Sequence, residues 1–312
     1  MLKEAVATGE SYVASAVFMD TLITVEVVRP KARNGYAERV QRAFGWFGQV
    51  ERLCSRFDET SELSRLSASP AGVPVTVSPP LFELVSFALS VAQASNGAFD
   101  PTVGREMEMS GFNRNYLTGE RKTSATEASA GSSYRDVLLD PVDRTVTLTR
   151  PFVLDLGAVA KGFAIDLAAE ELRPFQDYAI NAGGDILARG LGPEGTPWRI
   201  GIRHPRQPEA LIDTFTVSDA AVCTSGDYER PRPDGGPGHH LLDPETGRAA
   251  AEVASVTVVA ATAMLADALS TAAFVLGAER GIGLLERQNV EGLIVSVDLQ
   301  KCETKGLSRY RR

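Results

Sequence analysis

The chain has 312 residues, 44% of them hydrophobic, and a formal net charge of −8. This composition allows a sizeable core and argues against a general nucleic-acid binder, whose surface would carry a basic patch. Its three cysteines, Cys54, Cys223 and Cys302, form no CxxC pair, which excludes a disulfide framework and a thiolate metal site.

The N-terminal third predicts a strand followed by two helices. Residues 11–28 are rich in Val, Ile and Thr, which favours a strand or hairpin, and residues 36–54 place their apolar side chains on one helix face. Pro79 and Pro80 open a second helix. Neither a secretory leader nor about 18 uninterrupted apolar residues is visible, so we expect a cytoplasmic protein without membrane insertion.

The middle of the chain is less regular. Residues 96–134 show little periodicity and predict a long functional loop. A hairpin is expected over 137–148, and residues 153–156 predict a short strand that leads into a helix over 159–172. Residues 178–188 predict two strands interrupted by glycines.

The remaining predicted elements are strands near 198–203, 214–217, 253–260 and 293–297, and helices over 262–276 and 279–287. Strands and helices mix without regular alternation, which predicts an α+β fold with a mixed or antiparallel β-sheet core flanked by helices. We expect a single domain over 1–312, with its core at about 16–298 and frayed termini.

Two glycine-containing segments are candidate phosphate sites. In residues 155–162 (DLGAVAKG) a helix begins just after a predicted strand, and Lys161 adds a cation where helix N–H groups favour an anion. A plain turn with a solvated lysine is an equally good interpretation. Residues 181–185 (NAGGD) permit close approach of a ligand or form a bulge. Neither segment is a GxGxxG fingerprint, so a Rossmann site is not predicted.

Asp267 and Thr271 lie four residues apart on a predicted helix, so both face one side. A carboxylate and a hydroxyl suit Mg²⁺, although spacing alone favours an ordinary helix surface.

His239 and His240 adjoin Asp243. In an extended segment they point to opposite faces, so only one of them faces a given site. A packed or surface imidazole is the alternative for His239 and His204. Phe99 either stacks on a planar ring or pins its loop to the core.

Eight segments in one order make the chain resemble the ApbE family of FAD:protein FMN transferases. They are residues 18–21 (FMDT), 61–66 (SELSRL), 97–104 (GAFDPTVG), 155–162 (DLGAVAKG), 181–185 (NAGGD), 224–230 (TSGDYER), 239–247 (HHLLDPETG) and 264–272 (MLADALSTA). The resemblance implies one compact α/β-type domain that cleaves FAD to AMP and attaches FMN to Thr or Ser of an acceptor flavoprotein, with Mg²⁺ as the required ion.

The resemblance also implies roles by position. Asp267 and Thr271 match metal ligands, completed by the backbone carbonyl of Ala158, and His240 matches the histidine closest to the chemistry. The implied flavin-nucleotide contacts are Met19, Phe57, Ala98, Phe99, Asp100, Asp155, Lys161, Asp185 and Leu242.

The chain departs from the family pattern at Asp20, where Gly is frequent, at Phe57, where Tyr is frequent, and at Ser67, where Asn is frequent. Phe57 lacks the hydroxyl that Tyr would offer for a hydrogen bond at that position. Two other functions stay open: an FAD pyrophosphatase that uses water as acceptor on the same site, and a flavin-binding protein without turnover. AMP release from FAD, with and without an acceptor, distinguishes them.

Overall fold

The computed structural model describes residues 2–8, 11–29, 35–116, 118–124, 126, 131–233, 235–236 and 238–311. Within those residues the chain forms seven α-helices and sixteen strands. The helices are α1 (Tyr36–Cys54), α2 (Glu62–Ser67), α3 (Pro79–Ala94), α4 (Gly104–Met109), α5 (Gly157–Leu172), α6 (Ala263–Leu276) and α7 (Ala278–Arg287). The strands are β1 (Leu2–Thr8), β2 (Ser11–Phe18), β3 (Thr21–Val28), β4 (Val75–Thr76), β5 (Val137–Asp140), β6 (Thr145–Leu148), β7 (Tyr178–Ala182), β8 (Asp185–Arg189), β9 (Trp198–His204), β10 (Gln207–Val217), β11 (Ala220–Gly226), β12 (Leu242–Asp243), β13 (Arg248–Ala249), β14 (Val253–Ala260), β15 (Glu291–Ser296) and β16 (Lys301–Glu303).

A nine-stranded antiparallel sheet organises the described chain, in the order β1-β2-β3-β7-β8-β11-β14-β15-β16. Helices cover one face, and the β9–β10 hairpin covers the other. On β14, Val258 packs in the core under the helices, whereas Val259 packs with Trp198 and Phe215 of the hairpin. All eight residues of β14 are therefore buried, and the α+β class expected from the sequence is confirmed.

Helices α5 and α6 cross at a glycine. A Cβ at Gly162 would lie 2.5 Å from the Cα of Met264 and 2.6 Å from the carbonyl oxygen of Ala263, so the backbones meet where only a hydrogen fits. Asp166, one turn further along α5, accepts hydrogen bonds from the backbone N–H groups of Ala263 (2.8 Å) and Met264 (2.9 Å). These bonds satisfy two of the free N–H groups at the start of α6 and fix its register on α5.

The sequence-based expectation omits the edge strands β1 and β16 of the sheet, and it differs from the structure at two further places. Residues 153–156 are not a strand, because their backbone N–H groups do not pair with a neighbouring strand. Asp155 N–H donates to Pro101 O at 2.8 Å, and Leu154 N–H donates to the side-chain Oγ of Ser67 in α2 at 3.1 Å. Conversely, β11 was not predicted, because its Ala, Cys, Thr, Ser and Gly residues carry a weak strand preference. β11 is a strand because its backbone pairs with β8 on one side and with β14 on the other.

The C-terminus is packed rather than frayed. A short 3₁₀ helix, Leu307–Tyr310, buries Leu307 completely against the β9–β10 layer. The Arg311 guanidinium binds Asp213 at 2.7 Å and Glu303 at 2.6 Å. Arg312 lies outside the described residues.

Among the described residues, no helix combines the length and apolar character needed to cross a membrane.

Substitution of Gly162 tests the crossing. Because an added methyl meets backbone atoms rather than a flexible side chain, we expect Gly162→Ala to destabilise the protein by about 1–3 kcal/mol, measured by urea unfolding. Gly45→Ala in α1 is the matched control, since its Cβ would have no neighbour within 4 Å, and we expect it to be neutral or stabilising by up to ~1 kcal/mol. Equal destabilisation by both would contradict the close approach.

Candidate functional site

A partly buried lysine and two buried carboxylates lie where α5, α6 and β8 meet. Lys161 Nζ forms an ion pair with Asp185 Oδ2, an atom with no hydrogen-bond partner among the described residues beyond that pair. Asp185 Oδ1 accepts a hydrogen bond from the backbone N–H of Thr224 at 3.1 Å. Asp267 is 6% exposed and Asp185 only 2%, so neither charge is relieved by full hydration.

The turn before Asp185 requires glycine. Gly183 and Gly184 have φ of 64° and 101°, and a Cβ at Gly183 would lie 2.7 Å from the methyl group of Thr21. The first residue after this turn begins β8, so the glycines direct the Asp185 side chain inward. Ala182 pairs directly with Asp185 without a register shift, so the two glycines form a tight hairpin turn rather than a bulge, and this turn places the carboxylate.

Electrostatics couple these three groups. Burial alone would lower the pKa of Lys161, but the carboxylates of Asp185 and Asp267 raise it on balance. Burial raises the pKa of Asp267, and repulsion by Asp185 adds to the effect, whereas Lys161 opposes it. Two buried carboxylates thus share one ammonium, so the charge balance of the cluster favours binding of a further cation.

Oxygen atoms of α5 and α6 converge beside this cluster. The N–H of Gly162 points toward the carbonyl of Ala158, as in any regular helix, and the same N–H donates to Asp267 Oδ2 at 3.3 Å. Thr271 follows Asp267 by one turn, and its hydroxyl lies 3.2 Å from Ser225 Oγ. A carbonyl, a carboxylate and a hydroxyl are the kinds of oxygen donor that Mg²⁺ takes, so the chemistry of the predicted ligand set suits that ion.

Among the described residues, no group of three or more His, Cys, Asp or Glu side chains could hold a metal ion. A set of one carboxylate, one hydroxyl and one carbonyl falls outside that pattern and leaves ligand positions to a substrate.

The first of the adjacent histidines, His239, is part of the core. Its Nε2 lies 2.9 Å from the carbonyl oxygen of Ala250, and its Nδ1 accepts a hydrogen bond from the N–H of Leu241 at 3.2 Å. The Phe274 ring meets it edge-on, with centroids 5.4 Å apart. With both nitrogens engaged, His239 is a packed imidazole.

The second, His240, faces the other way. Its Nδ1 is buried and has no hydrogen-bond partner among the described residues, and its ring lies at 69° to that of Phe112, with centroids 6.3 Å apart. Burial, followed by the charge of Arg230, lowers the pKa of His240 to about 3. The imidazole is therefore neutral at pH 7, with a lone pair available to accept a proton.

The segment over 97–104 folds inward. Phe99 is 4% exposed and packs in the main core. The buried Asp100 carboxylate accepts hydrogen bonds from Thr102 N–H (2.9 Å), Thr102 Oγ1 (2.7 Å) and Tyr134 N–H (2.9 Å), while burial raises its pKa. This geometry favours the pinning alternative for Phe99. Ala98, the residue before Phe99, is only partly buried. Of the three predicted contacts in this segment, it is therefore the most accessible to a ligand.

Arg56 is a site residue that the sequence analysis missed. Its Nε lies 2.8 Å from Asp155 Oδ2, with both side chains largely buried, and its guanidinium also donates to the carbonyl of Phe112. The same guanidinium lies 4.4 Å from the ring centroid of Phe57. Arg56 therefore joins two predicted flavin contacts to the residue that touches His240. Its position directly before Phe57 was the one available signal.

Met19 lies at the tip of the β2–β3 hairpin. Met19 and Asp20 both adopt left-handed backbone, with φ of 51° and 58°, which explains why glycine suits position 20 in the family pattern. Met19 N–H donates to Glu51 Oε1 at 3.1 Å, and the hydroxyl of Tyr116 donates to the same oxygen. The predicted contact at Met19 is thus held by α1 and by the long loop.

A cavity of about 460 Å³ opens beside His239. Leu242, a predicted flavin contact, lines it together with His239, Ser110 and Asp227. Lys161, His240 and Asp267 are not among its lining residues, so among the described residues the predicted site residues fall into two groups. Arg56 and Phe112 link Asp155 to His240 outside this cavity.

Comparisons with known proteins identify the family. A family model described as the ApbE family matches residues 19–294. The FAD:protein FMN transferase of Treponema pallidum is 31% identical over 96% of this chain and 89% of its own length. The FAD:protein FMN transferase of Haemophilus influenzae is 30% identical over 84% of this chain and 80% of its own.

Solved structures give the same result. The ApbE protein of Thermotoga maritima superposes with a TM-score of 0.86 at 31% identity, covering 97% of this chain and all of that one. The flavin transferase ApbE of Vibrio cholerae superposes with a TM-score of 0.84 at 26% identity, covering 98% and 100%.

The depressed pKa of His240 predicts acid sensitivity. Between pH about 6.5 and about 3 the unfolded imidazole binds a proton that the folded one does not, so this residue makes stability fall as pH falls through that window. One proton corresponds to at most ~1.4 kcal/mol per pH unit. We expect His240→Asn to reduce the slope of unfolding free energy between pH 6.5 and 5, measured by urea titration. His204→Asn is the control, and an unchanged slope in His240→Asn would refute the assignment.

Proposed function

The chain belongs to the ApbE family, and from that premise we propose that it is an FAD:protein FMN transferase, an enzyme that moves FMN from FAD to an acceptor protein. The family resemblance stated from the sequence is confirmed by the family match. The observation that carries the proposal is the buried cluster of Lys161, Asp185 and Asp267, with Thr271 beside it. A site for flavin storage alone would not require this concentration of buried charge.

The proposed reaction is a phosphoryl-type transfer, in which one phosphorus–oxygen bond forms and another breaks. A Thr or Ser hydroxyl oxygen of the acceptor attacks the phosphorus of the FMN half and forms a new P–O bond. The bond from that phosphorus to the bridging oxygen breaks, and the bridging oxygen leaves with AMP. The hydroxyl proton passes to a base, for which His240 is the candidate.

The chain's own residues divide this work. Lys161, held between two carboxylates, supplies positive charge to the pyrophosphate oxygens. His240 is neutral at pH 7 and has an unpaired buried nitrogen, which suits a proton acceptor. Because its basicity is weak, proton transfer to it must accompany phosphorus–oxygen bond formation rather than precede it.

We propose Asp267, Thr271 and the carbonyl of Ala158 as the protein ligands of Mg²⁺. When bound, the ion supplies charge neutralisation on the substrate phosphates. Two observations support this assignment. The Ala158 carbonyl and the Asp267 carboxylate both face the N–H of Gly162, and the cluster contains two carboxylates but only one ammonium group.

The pyrophosphatase alternative uses the same site with water as acceptor, and the flavin-binding alternative involves no bond cleavage. The decisive experiment incubates the purified protein with FAD and Mg²⁺, with and without a candidate acceptor flavoprotein. AMP release together with in-gel flavin fluorescence on the acceptor supports transfer. AMP without acceptor supports hydrolysis, and no AMP in either case supports the binder. The cytoplasmic location stays a prediction, which cell fractionation tests.

Removal of the Asp267 carboxylate tests the metal assignment. We expect Asp267→Asn to weaken Mg²⁺ binding by at least ~10–100-fold, the loss caused by removing even a residue that supports a metal ligand. The readouts are the Mg²⁺ concentration dependence of thermal stability and the rate of AMP release. Asp298→Asn, at an exposed carboxylate, is the control. An Asp267→Asn protein with a wild-type Mg²⁺ response would exclude this ligand.

Replacement of His240 tests the base. We expect His240→Asn to slow single-turnover FMN transfer by ~10²–10⁴-fold, the usual contribution of a general base, with a much smaller effect on FAD affinity. His239→Asn is the comparison variant, whose main effect should be on thermal stability, because both its ring nitrogens are used in the core. Full activity of His240→Asn would shift the role to a carboxylate such as Asp243 or Asp185.

A further inference from the structure

One segment of the family pattern, residues 224–230, has no side chain in the proposed mechanism. It continues from β11 and ends at Arg230, beside the strand that carries the histidines. Pro231 and His239 form an isolated antiparallel bridge, and the N–H of His240 donates to the carbonyl of Arg230 at 3.2 Å. Arg230 and His240 are therefore directly opposite each other across an antiparallel pair.

Residues opposite each other in such a pair project from the same face. Since His239 points into the core, the alternation along an extended segment sends His240 to the other face. Arg230 shares that face. The Arg230 side chain thus starts from the same side of the strand pair as the proposed base.

The charge of Arg230 acts on three groups of the site. It lowers the pKa of His240 after the larger effect of burial. It also lowers the pKa values of Lys161 and Asp267, but by less than burial and the nearer charges change them. Coulomb interactions weaken with distance and with exposure to water, so the strand pair establishes the position of Arg230 and the charge effects only accompany it.

Arg230 also differs from nearby arginines in its partners. Arg206 binds Asp227 through two bonds of 2.7 Å, and Arg203 pairs with Glu229. Arg230 is exposed and, among the residues that the structure describes, no hydrogen bond or ion pair engages its guanidinium. Its donors are available to a ligand that enters beside His240.

We propose that Arg230 is a catalytic residue that binds a phosphate oxygen of the FAD pyrophosphate on the face of the strand pair that also carries His240. The proposal rests on the proposed function. A guanidinium presents a planar fork of donors that matches phosphate oxygens. In that position it stabilises the negative charge that develops on the leaving AMP phosphate as the bond to the bridging oxygen breaks.

The experiment compares ligands with and without a pyrophosphate. FAD and riboflavin affinities are measured by flavin fluorescence titration for wild type, Arg230→Gln and Arg230→Lys, with Arg199→Gln on exposed β9 as the matched control. We expect Arg230→Gln to weaken FAD binding by ~10–100-fold, as for a lost hydrogen bond to a charged group, and to leave riboflavin binding unchanged. Arg230→Lys should restore part of the FAD affinity, because it keeps the charge but not the fork.

Single-turnover AMP release supplies the catalytic readout. Arg230→Gln should slow it by ~10²–10³-fold at saturating FAD. Wild-type FAD affinity in Arg230→Gln, or an equal loss for FAD and riboflavin, would overturn the phosphate contact. The proposed function fails separately: wild type would then release no AMP from FAD, while the binding comparison would still decide whether Arg230 contacts phosphate.

Discussion

The contact between the backbone of Gly162 on α5 and the first turn of α6 determines where the candidate site forms. With no side chain at Gly162, α6 comes close enough for Asp267 to accept a hydrogen bond from the N–H of that glycine. Asp166 holds the same two helices in register through two backbone N–H groups of α6. Lys161 and Asp267 are adjacent because of this crossing, and neither helix could bring them together alone.

The distribution of charge at this helix crossing accounts for the proposed chemistry. The site buries two carboxylates against one lysine, an arrangement that costs stability unless a cation or an anionic ligand with its cation completes it. His240 faces the same region without a hydrogen bond for its Nδ1. Natural proteins leave such buried polar groups incomplete at functional sites more often than elsewhere. Asp185 Oδ2 and His240 Nδ1 are two such groups among the described residues.

The sequence predicted those parts of the molecule that depend on local periodicity. Helix α1 runs over the predicted residues, and Asp267 and Thr271 share a helix face because their spacing is one turn. β11 was missed, because its small residues have a weak strand preference and form a strand only by pairing with β8 and β14. The same limit applies to Arg56: its links to Asp155 and Phe112 join segments about 100 and 56 residues away, and no local pattern carries that information.

The packed C-terminus has a consequence for biosynthesis. Leu307 packs on the β9–β10 layer, and Arg311 pairs with Asp213 of β10 and with Glu303 of β16. Domains are made from the N-terminus and fold as the chain emerges, so part of this layer stays uncovered until residues 307–311 have left the ribosome. A nascent chain that stops before these residues exposes apolar surface of the hairpin that the finished segment covers.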